Sequence, residues 1–458
     1  MYTLDQSFSS NNLRKIFDYE NRKGNYLEGK FFSKKGEFFP EIEEITRKLK
    51  QCSSEFKELK KNKGSLSDQE YETQKIRLNE TKEELKEEKE ILLTTAFEKI
   101  SKKITDNSFK IELKKIQQES TKVVYTTKEK DAATYFALKQ VQYNIKKLYK
   151  VKQSNRYNIL CQLKNLLNDK FPKYVIRTDI KDFFETIPHN KIKQKINCDP
   201  LLTASSKKII TQILSEYTRL SGNDNGIPRG IGISSYLAEL YMRSIDDKIR
   251  FQKNVIYYAR YVDDIIVIYT PQPNLDISNL LKDLTTCIID NGLTVNKKKT
   301  ESFDLMEPQN ATLEYLGYKM SFGTGTVKLE LTNNKIEKYK RYLSMSFDAY
   351  HKTSKFNEQK ARKLLVKRIK FLTSNTRLLN NKKDTIVGVY FSNSLLTGFK
   401  KFTELDDYLK NEISKISSTN LTERLKKLSF TEGFLKQKYA SFTAAELKKI
   451  TMVWKHVF

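Results

Sequence analysis

Cysteine, histidine and tryptophan are all scarce in this 458-residue chain, at four, three and one. The cysteines, at 52, 161, 198 and 287, share no metal-ligand spacing and are too sparse for a disulfide framework. The expectation is a reduced, cytoplasmic protein with thiols in its core. His189, His351 and His456 stand alone in the sequence, so neither a zinc site nor an HNH nuclease is supported. No apolar run approaches membrane-spanning length, and Met1 to Gln6 lacks the basic-then-apolar pattern of a secretion signal. No internal repeat and no second catalytic domain are visible. Carboxylates are in deficit as well: 56 Asp and Glu stand against 84 Lys and Arg, leaving a net charge of +28. A field of that sign concentrates polyanions and makes their binding salt-dependent. Nucleic acid is the expected partner and a membrane is not, although many soluble proteins are merely lysine-rich.

The length suits about two to three domains. Residues 1–120 form an N-terminal region with a charged, glycine-poor stretch that reads as a helical hairpin over about 40–105. Ile42, Ile45, Leu49, Cys52, Phe56 and Leu59 recur at alternating threes and fours, a heptad seam. Gly64 breaks it, Ser67 with Glu70 forms a capping box, and Tyr71, Leu78, Leu85 and Leu92 follow at sevens. Short β-rich runs and glycine turns fill 121–330. From 331 to 458 the pattern is helical, with candidates at Lys335 to Tyr350, Asn357 to Thr373, Phe402 to Ile416 and Leu421 to Phe430. Trp454 reads as a packing anchor.

Tyr261-Val262-Asp263-Asp264 lies between two β-branched and aromatic runs, Val255 to Arg260 and Ile265 to Tyr269, so the acidic pair falls at a hairpin turn. Adjacent carboxylates on an apolar rim repel and are poorly solvated, and a divalent cation relieves both costs. An ordinary acidic surface turn is the alternative. Against it stands Asp179, which ends another β-rich run, Lys173 to Thr178. Carboxylates converging from separate elements are what two-metal phosphoryl transfer requires. Between them, Gly226-Ile227-Pro228-Arg229-Gly230-Ile231-Gly232 leads into an amphipathic helix, and its glycines permit close backbone approach to a nucleotide or template.

These blocks, in this order, resemble a reverse transcriptase. Asp179 to Phe184 is similar to the family's first catalytic block, Gly226 to Tyr241 to the second and Tyr261 to Asp264 to the third. Gly292 to Thr300 resembles the fourth, and Leu313 to Tyr318 the primer-gripping fifth. The likeness spans roughly residues 120 to 330. Ala238-Glu239-Leu240-Tyr241 and the helical carboxyl end are most similar to the bacterial defence-associated, unknown-group and abortive-infection class. Gln6 to Gly24 and Lys150 to Arg156 look most like the first polymerase of the type 3 two-polymerase antiviral system. Arg229 stands where intron and retroviral enzymes commonly have glutamine.

The resemblance implies an α+β, right-hand polymerase: fingers and a ferredoxin-like palm over 121–330, a helical N-terminal insertion, and an all-helical thumb over 331–458. It implies RNA-directed DNA synthesis in antiviral defence, two Mg2+ ions for which Mn2+ can substitute, a noncoding RNA template and a second polymerase as partner. Asp179, Asp263, Asp264 and the Ile180 carbonyl are the implied metal ligands. Lys299 is the implied general acid, with Lys297 and Lys298 as competitors. Lys152 and Arg156 are placed on nucleotide phosphates, surface cations being the alternative, together with Arg229 and Gly230. Phe184 is the implied steric gate against a 2′-hydroxyl, with Phe183 in the core. Leu316, Gly317 and Tyr318 form the primer grip, and Lys363, Lys367 and Lys370, within the basic stretch Arg362 to Lys370, face nucleic acid. A template-independent, tyrosine-primed DNA polymerase and a catalytically silent RNA-binding scaffold are the alternatives, and three retained aspartates argue against silence.

Overall fold

The computed structural model describes residues 4–33, 39–116, 123–128, 131–169, 171–273, 276–306, 311–322, 326–378 and 385–454. His456 lies outside them. The chain forms two compact units, residues 1–152 with 182–243, and residues 153–181 with 244–458.

In the first unit, helix Ser10–Arg22 packs beside the hairpin of Pro40–Lys61 and Asp68–Thr105. Phe17, Phe32, Phe97 and Phe136 meet edge-to-face in its core, with Phe17 and Phe97 centroids 5.4 Å apart and Phe97 and Phe136 5.5 Å apart. Gly64 sits in a short 3-10 turn, Lys63–Ser65, and the reciprocal Ser67 and Glu70 capping box restarts the helix as expected. The seam holds on the first helix, where Ile42, Ile45, Cys52 and Leu59 are buried. On the second it drifts: Leu78, Leu85 and Leu92 are half-buried, and Leu93, Ala96, Phe97, Ile100 and Ile104 take over. A strict seven-residue step falls behind the 3.6-residue turn of a straight helix, so the buried face moves around it. Strands β1 (Leu113–Ile116) and β2 (Val124–Thr127) form an antiparallel ribbon.

The second unit holds the central sheet. Strands β3 (Tyr174–Asp179), β4 (Val255–Tyr261), β5 (Asp264–Tyr269) and β6 (Glu301–Asp304) lie in the order β4-β5-β3-β6, all neighbours antiparallel. Helices separate β3 from β4, β4 and β5 are a hairpin, and helix Ile277–Asp290 precedes β6. That is the β-α-β-β-α-β order of a ferredoxin-like fold, as expected for a polymerase palm. A three-stranded meander follows, β7 (Ala311–Tyr315), β8 (Tyr318–Phe322) and β9 (Lys328–Leu331). Val175, Ile266, Ile268, Leu313, Tyr315 and Met320 share one core with helix Arg156–Asn168.

Beyond residue 331 the helices gather around a second core that includes Leu343, Phe347, Leu365, Ile369, Phe402 and Phe430. Two expectations are corrected here. The region is not all-helical, because β10 (Asn375–Arg377) pairs with β11 (Ile386–Gly388). The helix expected over Leu421 to Phe430 is two, Thr419–Lys426 and Phe430–Leu435. The break is stabilised by Asp406, whose carboxylate accepts from the Ser429 hydroxyl at 2.8 Å and from the Phe430 and Thr431 amides at 2.6 and 3.1 Å. Trp454 is an anchor: its ring stacks on Tyr342 and its Nε1 donates to the Tyr342 carbonyl at 3.1 Å. All four cysteines are unpaired, and among the described residues no helix is long and apolar enough to cross a membrane.

Candidate active site

Strand pairing brings the aspartates together. Asp179, the last residue of β3, is the register partner of Asp264, the first residue of β5, and Asp264 is in turn opposite Tyr261 of β4. Val262 and Asp263 form the two-residue turn between β4 and β5. Val262 has φ +62°, a left-handed conformation that β-branched residues rarely adopt and that costs about 1–3 kcal/mol. The Ile180 amide donates to the Asp263 carbonyl at 3.0 Å, which ties the turn to the chain just beyond β3. Two consecutive aspartates that alternation would point to opposite faces are thus redirected by a bend.

Cations already face two of the three carboxylates. Lys299 Nζ lies 3.0 Å from Asp179 Oδ2, and Asn296 Nδ2 donates to Asp179 Oδ1 at 3.0 Å. Lys299, rather than Lys297 or Lys298, is the member of the 3-10 turn Lys297–Lys299 that reaches the aspartate. Arg177 Nη2 donates to Asp264 Oδ1 at 2.9 Å. Burial pushes the Asp263 carboxyl above its ordinary pKa, and Asp179 and Asp264 push it further. Burial also raises Asp264, against the lowering effect of Arg177. Hard oxygen donors whose negative forms are disfavoured suit a divalent cation. The arrangement is nonetheless a paired one: among the described residues no three His, Cys, Asp or Glu side chains are gathered to enclose an ion. A cation held by Asp179 would have to displace Lys299 from it.

The expected primer grip is the tight turn joining β7 and β8, with Leu316 at φ +47° and Gly317 at φ +75°. Arg156, expected on nucleotide phosphates, lies at this turn. Its Nε donates to the Leu316 carbonyl at 2.8 Å and its guanidinium lies 5.2 Å from the Tyr318 ring centre. The reason is placement, since Arg156 opens the helix Arg156–Asn168 that packs under the meander. Lys335 Nζ also lies near the Tyr318 ring, 5.3 Å from its centre, and burial, with Arg156 next, pushes its pKa down to about 7.

The remaining candidates divide between the units. In the first, Phe183 is buried and Phe184 half-exposed, as expected. Arg229 lies with its guanidinium 5.2 Å from the Phe184 ring centre and pairs with Glu185, Nη2 to Oε1 at 3.0 Å. Gly230, at φ +100°, lets the Arg229 carbonyl accept from the Tyr125 amide of β2 at 2.7 Å; a Cβ there would meet Val124 Cγ1 at 2.5 Å and the Tyr125 carbonyl at 2.6 Å. Lys152 is exposed. In the second unit the basic stretch narrows. Lys363 and Lys370 are exposed, whereas Lys367 pairs with Glu446 at 2.6 Å, Arg362 pairs with Glu358, and Arg368 is buried. Helical periodicity accounts for this, because 361, 365, 368 and 369 form the core face.

Sequence reasoning gave no role to Arg177 or Asn296. Arg177 was legible: it interrupts the apolar stretch after Lys173, two residues before Asp179 and so on the same strand face. Asn296 was not, because only the loop before β6 brings it back to Asp179.

No curated protein matches the chain by sequence. Solved structures similar to it include apo telomerase from Candida tropicalis truncated from its C-terminal domain, at 16% identity over 48% of this chain and 55% of that one, with a TM-score of 0.35. Telomerase from Candida albicans with the TWJ fragment of telomeric RNA is another, at 12% identity over 75% and 64%, also with a TM-score of 0.35. This chain thus spans less than two thirds of either telomerase. Residues 125–320, which contain the three aspartates, Lys299 and the β7 to β8 turn, match the reverse transcriptase (RNA-dependent DNA polymerase) family. This stretch of the chain is therefore similar to a reverse transcriptase domain.

Proposed function

We propose that the chain extends a DNA strand on an RNA template with Asp179, Asp263 and Asp264 as its catalytic carboxylates. The observation that carries the reading is the direct pairing of Asp179 with Asp264 at neighbouring strand ends, with Asp263 at the adjoining turn, inside the matched residues. Asp179, Asp263, Asp264 and the Ile180 carbonyl would hold two divalent ions, Mg2+ or Mn2+, which supply charge neutralisation at the reacting phosphate. The primer 3′-hydroxyl gives its proton to water as its oxygen bonds to the α-phosphorus, and the bond from that phosphorus to the oxygen bridging to the β-phosphate breaks. Lys299, released from Asp179, gives its proton to the departing pyrophosphate. Phe184 excludes a 2′-hydroxyl, its ring covered on one side by Arg229. Lys152 serves incoming phosphates, and Leu316 to Tyr318 steadies the primer.

The setting we propose is cytoplasmic antiviral defence of the two-polymerase kind, with a noncoding RNA as template and a second reverse transcriptase as partner. Purified protein should incorporate deoxynucleotides on a primed RNA, and Asp263→Ala with Asp264→Ala should reduce incorporation to background while circular dichroism stays native. Synthesis by the folded double variant sinks this assignment. Equal synthesis without any template favours the template-independent reading. Phe184→Ala should raise ribonucleotide use relative to deoxynucleotide use, and unchanged discrimination in an active variant returns Phe184 to the core.

A further inference from the structure

The turn that carries the aspartates is one its own sequence does not favour. Two-residue hairpin turns with left-handed positions select Asn-Gly or Asp-Gly, whereas here Val262 takes φ +62°. A conformation disfavoured locally persists only when its surroundings impose it. One restraint is the Ile180 amide on the Asp263 carbonyl. The other comes from Arg260, the penultimate residue of β4, whose side chain is 4% exposed. Arg260 Nη1 donates to the Val262 carbonyl at 2.8 Å. The rest of its fork is gripped by Asp246, on the last turns of helix Gly232–Arg250, with Nε to Oδ1 and Nη2 to Oδ2 both 2.8 Å. Tyr258, two residues earlier on β4, donates its hydroxyl to Asp246 Oδ1 at 2.6 Å, fixing the carboxylate in turn.

We propose that Arg260, held in a two-toothed grip by Asp246, is a positioning residue that keeps the Val262-Asp263 turn in its left-handed form and so sets where Asp263 and Asp264 stand. A buried guanidinium in two charge-assisted bonds to one carboxylate has a fixed direction, and its third nitrogen therefore presents a fixed donor to the turn. Lysine offers a single ammonium and cannot serve carboxylate and carbonyl in the same geometry. The consequence is catalytic, because misplacing a reacting group by about 1 Å can cost on the order of 100-fold in rate. The inference rests on the reading of these aspartates as the catalytic pair.

The test uses the full chain on a primed RNA with Mg2+ titrated. Because removing one member of a buried ion pair strands the other, the informative variant is Arg260→Gln together with Asp246→Asn, which removes both charges. It should bind primer-template and deoxynucleotide as wild type does, with KM unchanged, while kcat falls at least tenfold and the Mg2+ midpoint rises. Glycine adopts positive φ freely, so the fall caused by the paired change should be several-fold smaller when measured in a Val262→Gly background. Wild-type kcat and Mg2+ midpoint in the folded paired variant overturn the proposal, as does an equal fall in both backgrounds. Should the paired variant fail to fold, Arg260→Lys must show the same kcat loss at constant KM, and its absence overturns the proposal equally. Failure of the underlying reading looks different: there, Asp263→Ala with Asp264→Ala remains active, whereas an inactive aspartate variant beside an indifferent Arg260 variant sinks only the clamp.

Discussion

Asp263 and Asp264 are neighbours in sequence, and burial raises the pKa of both, but only Asp264 has a guanidinium opposing the shift. Burial and two neighbouring carboxylates raise Asp263, while the Arg177 guanidinium opposes the same effect at Asp264. An aspartate with a raised folded pKa keeps its proton to higher pH in the folded state than in the unfolded chain. Its contribution is fully present below the unfolded pKa and is lost as pH rises through the folded one. Asn carries no charge at any pH, so without metal Asp263→Asn should raise the melting temperature at pH 7, and the gain should vanish below about pH 4, the ordinary aspartate value. Asp264→Asn should raise it by less than Asp263→Asn does, because Asp264 is raised against the pull of Arg177, whose Nε already lacks a hydrogen-bond partner and which then keeps its ion pair with Glu301 at 3.6 Å. Thermal melts of both variants at the two pH values in chelator decide the matter; a destabilised Asp263→Asn at pH 7 refutes this account of its environment. The three carboxylates were legible in the sequence because acidic residues closing apolar runs are conspicuous. The partners of Asp179 were less so, since Asn296 and Lys299 reach it from 117 and 120 residues away.

Elements were legible in proportion to how local their causes are. The Ser67 capping box and the break at Gly64 involve residues a few positions apart, and both appear as read. The split at Lys427 to Ser429 was missed because what stabilises it, Asp406, lies 23 residues upstream on another helix. The β10–β11 pair was missed for a similar reason: strands of three residues carry no readable alternation. Gly230 is a case where the requirement is visible in both. Its φ of +100° and the 2.5 Å and 2.6 Å approaches of Val124 Cγ1 and the Tyr125 carbonyl leave no room for a methyl group, and one of the two obstructions is backbone. Gly230→Ala should therefore destabilise the first unit by more than about 1 kcal/mol, the level at which incompatible glycine replacements begin. It should also loosen β2, seen as faster amide exchange at Tyr125, whose N–H bonds to the Arg229 carbonyl. Gly64→Ala is the control, for nothing lies within 4 Å of its Cβ position. Equal melting temperatures for the two variants contradict the argument.

At the scale of the molecule, sequence order and strand order are different facts. The β4-β5-β3-β6 arrangement is set by pairings between distant segments, which hydrophobic pattern does not encode, and only the likeness of five ordered blocks made it expected. Charge is the property that composition does give, and its distribution qualifies the total of +28. Between Asp68 and Glu90, nine acidic residues stand against five basic ones along an exposed helix, so that stretch repels nucleic acid while the remainder attracts it. Within the basic stretch of helix Glu358–Thr373, Lys363 and Lys370 are free to face phosphate, and Lys367 is occupied by Glu446. Each phosphate contact steepens the dependence of log K on log salt by about 0.9 on duplex DNA. Lys363→Gln with Lys370→Gln should accordingly flatten the slope for primer-template by up to about 2, while long, helix-compatible side chains keep stability near wild type. Lys367→Gln alone should leave the slope in place and lower the melting temperature slightly, because it removes an interhelical ion pair of about 0–1 kcal/mol. Fluorescence anisotropy across a salt series separates the two. If the double variant keeps the wild-type slope and low-salt affinity, these lysines are a solvated helix face, and the +28 charge acts on nucleic acid from other surfaces of the molecule.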